Sequence, residues 1–160
     1  MKDGISPPTF QDVLDAHDRI RPYIHRTPIL TSSYLNALTG ADLFFKCENF
    51  QKAGAFKARG ASNAVFGLTD AGAARGVATH SSGNHGLSLA YAAGRRGIPC
   101  TVVMPRTAPQ AKKDAVKGYG GRVVECEPST SSREAVFAEV LAETGAEFVH
   151  PYNDPRVIAG

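Results

Sequence analysis

The sequence predicts an α/β fold built on a parallel sheet, and two observations predict it. From Gly76 onward, four short apolar runs at 77–80, 100–104, 123–126 and 147–150 alternate with helix patterns at 84–96, 108–118 and 132–144. Strands and helices alternating at this spacing favour a parallel sheet covered on both faces and joined by right-handed crossovers. The second observation is the turn Ser81-Ser82-Gly83-Asn84-His85-Gly86, which leaves the first strand and opens the first helix. In an open parallel sheet, ligands bind outside the carboxyl ends of the strands, where this turn lies.

The elements follow in order. Pro7-Pro8-Thr9 opens a helix in which Phe10, Val13, His17, Ile20 and Ile24 recur at helical spacing. Thr27-Pro28 forces extended backbone, because a residue before proline avoids the α region. Ser32 or Ser33 caps a short helix through Leu38, and Gly40 ends it in a left-handed conformation. Residues 42–47 read as a strand. A mild shift in composition near 67–70 marks the passage into the regular α/β unit. Gly118, Gly120 and Gly121 precede a strand rather than follow one, so they read as a helix end and a turn, not a dinucleotide fingerprint. Ser131-Ser132-Arg133-Glu134 reads as a capping box for the last helix, whose buried face is Val136, Phe137, Val140 and Leu141.

At 160 residues, with 42% hydrophobic and 21% charged residues, the chain suits one globular domain with a real core. A net charge of +3 spread over short basic clusters argues against nucleic acid as a partner. Cys47, Cys100 and Cys126 are odd in number and form no Cys-x-x-Cys pair, which argues for a reducing compartment and against a disulfide framework or a metal site. The stretch from Met1 to Pro8 has no apolar core, and no run approaches the roughly 18 apolar residues of a membrane span. The expectation is a cytoplasmic, soluble protein with no membrane partner.

Two segments carry chemistry. In the first, Phe45 to Gly60, Lys57 lies between Phe56 and Ala58 with Ala55 nearby and no counter-ion in the local sequence. Poor solvation there favours the free amine that a Schiff base requires. Gly54 and Gly60 are read as letting backbone approach a flat ligand. The second segment is the 81–86 turn, where helix-start amides and the side chains of Ser81, Ser82 and Asn84 suit a carboxylate or phosphate. His85 reads equally well as a satisfied helix-start histidine. A lysine amine beside an anion cradle points to pyridoxal phosphate acting on amino acids.

At these residues the chain resembles the fold-type II pyridoxal phosphate enzymes, specifically the serine racemase and threonine (serine) dehydratase branch. The resemblance runs from His25-Arg26-Thr27-Pro28 through Thr31-Ser32-Ser33, the 45–60 segment, the 81–86 turn and Pro105 to Pro109, to Cys126-Glu127-Pro128 and His150 to Pro155. It implies a tryptophan synthase β-like architecture. Lys57 would hold pyridoxal 5'-phosphate and take the Cα proton, with Phe56 beside the cofactor and Asn84 bonded to its phenolic oxygen. Ser81, Ser82, Asn84 and His85 would surround the substrate carboxylate, and Ser82 would handle the proton on the opposite face. The implied reaction is dehydration of L-threonine or L-serine to a 2-oxo acid and ammonia, with serine racemisation and 3-hydroxyaspartate dehydration as alternatives. An inactive fragment or a stand-alone anion-binding module is the reading from another class. Members of the branch run to about twice this length and are expected to be homo-oligomers, dimers in the complete enzyme. On that basis residues 1–66 are an incomplete part of a large domain, 67–152 the small domain, and 153–160 the start of the return to the large one.

Overall fold

The computed structural model describes residues 6–160, so the stretch Met1-Lys2-Asp3-Gly4-Ile5 lies outside the described residues. Its centre is a four-stranded, all-parallel sheet of β3 (Val77–His80), β4 (Cys100–Pro105), β5 (Arg122–Cys126) and β6 (Glu147–Phe148). The spatial order is β5-β4-β3-β6, so the chain winds outward on one side from β3 and returns to its other side with β6. The sheet is thus the one read from the sequence, with strands one or two residues shorter or longer.

The crossovers are α5 (Asn84–Arg96), α6 (Gln110–Gly118) and α7 (Thr130–Thr144). Gly97, at φ 73°, ends α5 in the left-handed conformation that relieves its last carbonyls. α7 begins earlier than its sequence signature. Ser129 is the N-cap and accepts from the Ser132 amide, so Ser131 and Glu134 form no capping box. Phe137 and Val140 are buried as expected, while Val136 and Leu141 pack partly buried around them.

The segment before the sheet differs more. α1 (Phe10–Ile20) starts at a capping box between Thr9 and Asp12, but it buries only Ala16 and Ile20. Phe10 is 74% exposed and Val13 40%, so the apolar stripe that defines the helix is largely not covered by the described residues. The strand expected over 42–47 contracts to β2 (Phe45–Lys46), paired antiparallel with β1 (Ile29–Leu30). Ser32 caps α2 (Ser33–Thr39), and Gly40 closes it at φ 68°.

A helix that the sequence reading did not contain, α3 (Lys57–Phe66), is the most buried element outside the sheet, and a short helix, α4 (Asp70–Ala74), leads from it into β3. It packs along α5 on one side and against α8 (Pro155–Ala159) on the other. Gly60 explains the second contact. A Cβ placed there would lie 2.3 Å from the Val157 carbonyl oxygen, so only glycine lets α3 and α8 approach this closely. The sequence reading gave Gly60 to the close approach of a flat ligand; in the structure it serves this helix packing and also borders the hollow that Lys57 lines. Ala61, Ala64 and Val65 of α3 join Leu89, Val102, Met104 and Val149 in one core.

Candidate active site

The lysine is placed by a strained turn. Ala53 and Gly54 both take left-handed backbone, at φ 57° and 67°, and Ala53 is the sole non-glycine to do so among the described residues. For an alanine that conformation costs roughly 1–2 kcal/mol. The double reversal buries Ala55, leaves the Phe56 ring 59% exposed, and starts α3 at Lys57. Next to the turn, Glu48 accepts two bonds from Arg59 at 2.7 and 2.8 Å and one from the Thr27 hydroxyl at 2.6 Å. The Arg59 guanidinium holds the Glu48 carboxyl down at about 2, against the opposing effect of burial. Buried Gln51 adds a second brace, accepting from the His25 amide and donating to the His25 carbonyl, both at 2.8 Å. The first turn of α3 is therefore fixed by side chains some ten to thirty residues away in sequence.

Lys57 is half-buried, and its Nζ lies 5.3 Å from the Phe56 ring centroid. Nζ donates to the carbonyl oxygen of Pro151 at 2.5 Å. Phe56, Lys57 and Tyr152 line one hollow of about 300 Å³, which Gly60, Val157 and Ile158 floor.

The second group is the turn after β3. Ser82 and Asn84 are exposed, and Ser81 is half-buried, with its Oγ accepting from the Gly83 amide at 3.2 Å. Gly83 is the N-cap of α5 and supplies no side-chain cap to the first-turn amides. Gly86 lets the helix start sit on the sheet: its Cβ would lie 2.8 Å from Val102 Cγ1 and 2.9 Å from the Ser81 carbonyl. The imidazole of His85 is 3% exposed, and its Nε2 lies 3.0 Å from the Val149 carbonyl oxygen. A carbonyl only accepts, so Nε2 carries the proton and Nδ1 is bare, without a partner among the described residues. Burial pushes the His85 pKa down to about 4. Its ring is thus a neutral group turned toward Val149 in the interior.

Residues 149–153 join the two groups, since Val149 meets His85 and Pro151 meets Lys57. On the far side of the Ser81–Ser82 turn, a cleft of about 220 Å³ runs over the carboxyl ends of β3, β4 and β5. His80, Ser82, Ser129 and Arg133 are among its walls. Arg133 Nε is buried with no hydrogen-bond partner among the described residues. Arg133 and His80 escaped the sequence reading as site residues. Arg133 was visible only as a residue near a helix start, and nothing local marks it as facing a cleft.

The fold and this geometry define a class: an α/β protein with a half-buried lysine at the start of one helix and a small-residue turn at the start of another, both in contact with the 149–153 segment. Residues 20–160 match the family described as pyridoxal-phosphate dependent enzyme, and the chain belongs to that family. It is 75% identical over 153 residues to the beta-hydroxyaspartate dehydratase of Paracoccus denitrificans, covering 96% of this chain and 49% of that protein. Its structure is similar to that of maize serine racemase, with a TM-score of 0.94 and 49% identity over 96% of this chain and 47% of that one. The threonine deaminase of T.th. superposes with a TM-score of 0.87 and 44% identity over 96% of this chain and 48% of that one. The chain therefore spans about half the length of the relatives it matches. No helix among the described residues is long and apolar enough to cross a membrane.

Proposed function

We propose that this chain is the lysine-bearing half of an enzyme that removes water from a 3-hydroxy amino acid, and that its substrate is the dicarboxylic 3-hydroxyaspartate. The residues present fit pyridoxal phosphate: Lys57 offers a primary amine, Phe56 an exposed ring beside it, and Asn84 an amide at an open helix start. When bound, that cofactor supplies an electron sink for charge developing at the substrate Cα. The chain's own residues do the rest. The Lys57 amine would take the Cα proton, and Asn84 would help to hold the cofactor through its side-chain amide. The α5 amides with Ser81 and Ser82 bind the α-carboxylate. His85 contributes through its backbone, because its ring faces Val149. The β-hydroxyl would leave with a proton as water, and solvent water would then hydrolyse the imine tautomer of the released enamine to a 2-oxo acid and ammonia.

The observation that carries the substrate assignment is Arg133. A buried, unpartnered guanidinium nitrogen beside Ser82 is costly to leave bare, and a second carboxylate would satisfy it. The 75% identity to a beta-hydroxyaspartate dehydratase supports the same choice. In the complete enzyme, Arg133→Met should lower kcat/KM for 3-hydroxyaspartate by about 10²-fold, the worth of a charge-assisted hydrogen bond, and change serine turnover by less than about threefold. Equal losses on both substrates would remove Arg133 from recognition and return threonine or serine to the lead.

Racemisation is the second reading, favoured by the exposed Ser82 hydroxyl at the mouth of the turn. On either reading, α8 packing back onto α3 supports residues 153–160 and the first 66 residues belonging to one domain, with 67–152 forming the other. Assembly as a homodimer and a cytoplasmic location belong to the same proposal.

A further inference from the structure

The turn that meets Lys57 is held by a histidine that has no part in the chemistry above. His150 Nδ1 accepts from the Asn153 amide at 2.9 Å and from the Tyr152 amide at 3.3 Å. A nitrogen accepting two N–H groups must be unprotonated, and burial, aided by Lys57 and opposed by Asp154, holds His150 below the usual imidazole range. The ring is itself wedged, edge-on to Tyr152 at 4.4 Å and against Phe148 at 5.4 Å and His80 at 6.2 Å between centroids. The loop enclosed by these bonds contains Pro151, whose carbonyl oxygen receives the only hydrogen bond that Lys57 Nζ donates among the described residues. Proline has no N–H and a fixed φ, so its carbonyl direction follows from how the flanking residues are held.

We propose that His150 is a positioning residue for Lys57: its imidazole folds the 150–153 turn so that the Pro151 carbonyl sets where the lysine amine waits. The proposal rests on Lys57 being the reactive amine. Two different elements then converge on one loop, since His85 of α5 anchors Val149 from below while His150 shapes the turn from within. The amine is held by backbone oxygen rather than by a carboxylate, so it is placed without a fixed negative charge beside it. The loop thereby couples the position of the lysine to the position of the α5 start, where the substrate carboxylate is proposed to bind.

The test compares His150→Leu, which removes the acceptor, with His150→Asn, whose side-chain oxygen can accept from backbone amides two and three residues on. In the complete enzyme without cofactor, hydrogen exchange at Tyr152 and Asn153 and the rate of Lys57 acylation by an N-hydroxysuccinimide ester are followed by mass spectrometry. For His150→Leu, both should rise about tenfold, the equivalent of one lost hydrogen bond. With cofactor, kcat should fall by about 10- to 100-fold while KM changes less than about threefold, as expected for a misplaced reacting group. His150→Asn should stay within about threefold of wild type on every readout. Should His150→Leu fail to fold, His150→Gln, with its acceptor one methylene further out, replaces it as the loosening variant. Faster exchange with unchanged Lys57 acylation would overturn the proposal, because the turn would then not govern the amine. Asparagine failing as badly as leucine would also overturn it, assigning the role to ring packing. Because acylation reads the amine directly, it remains decisive even if turnover proves to depend on another residue.

Discussion

Removing the titration of His85 should flatten the acid limb of the stability curve. The ring is 3% exposed, neutral, and spends its one N–H on Val149, so protonating it in the folded state means placing a charge in the core. Burial lowers its pKa from 6.5 to about 4; Lys57 and His150 push the same way, and the Val149 bond and Asp154 oppose them. The unfolded chain thus binds a proton near pH 6.5 that the folded chain refuses until about pH 4. A depressed folded pKa means that stability is fully present above the unfolded value and lost as pH falls toward the folded one. Two to three pKa units correspond to about 3 kcal/mol. Urea unfolding from about pH 7.5 to about pH 4, wild type against His85→Gln, isolates this share, because glutamine can still donate to Val149. His80 and His150, also held low by burial, titrate in both proteins and cancel. The wild type should lose about 3 kcal/mol more than the variant across that window. Parallel curves would refute the assignment of a buried neutral imidazole.

Gly60→Ala should cost about 1–3 kcal/mol, the usual penalty of overpacking, because the new methyl meets the Val157 carbonyl; thermal unfolding with an unchanged midpoint would show that α3 and α8 separate freely. Ser82→Ala should lose epimerisation about 10²-fold more than dehydration, the worth of a positioned acid or base, if the hydroxyl serves the face opposite Lys57. Chiral analysis of product and residual substrate checks it, and equal losses would leave Ser82 only a carboxylate ligand.

How much of this was legible in the sequence depended on whether the determining contacts were local. β3 and α5 match their sequence bounds residue for residue, because a small-residue turn starts α5 and Gly97 stops it. The candidate residues Phe56, Lys57, Ser81, Ser82, Asn84 and His85 were named from their immediate neighbours and from the resemblance. α3 was not found, since KARGASNAVF has glycine, serine and asparagine in its middle and little helix propensity. It is a helix because α5, α8 and α1 surround it, and seven of its ten residues are buried. The same holds for the site's supports. Pro151 is 94 residues from Lys57 and Val149 is 64 from His85, so no window of sequence could join them. Arg133 read as part of a helix start, which matches its place in the first turns of α7, and His150 as the end of a strand that in fact stops at Phe148; both readings were silent about the side chain.

The first sixty residues test the opposite assumption, that an apolar pattern names a buried face. Ile29, Leu30, Leu38, Phe44, Phe45 and Phe50 are all more than 40% exposed, as are Phe10 and Leu14 of α1. Together they form far more open apolar surface than isolated exposed side chains require. The helices α1 and α2 were read correctly there while the 42–47 strand was read too long, and the burial that the apolar residues imply is not supplied by the described residues. The regular unit from β3 to β6, by contrast, carries its own cover in α5, α6 and α7. Relatives about twice as long share both regions with this chain. Periodicity therefore reports what a segment is built to bury, while the structure of any given stretch reports only how much of that burial it contains. For Lys57 the consequence is specific: it starts a helix packed into the covered half, while Phe56 and Tyr152, which line the same hollow, stay exposed.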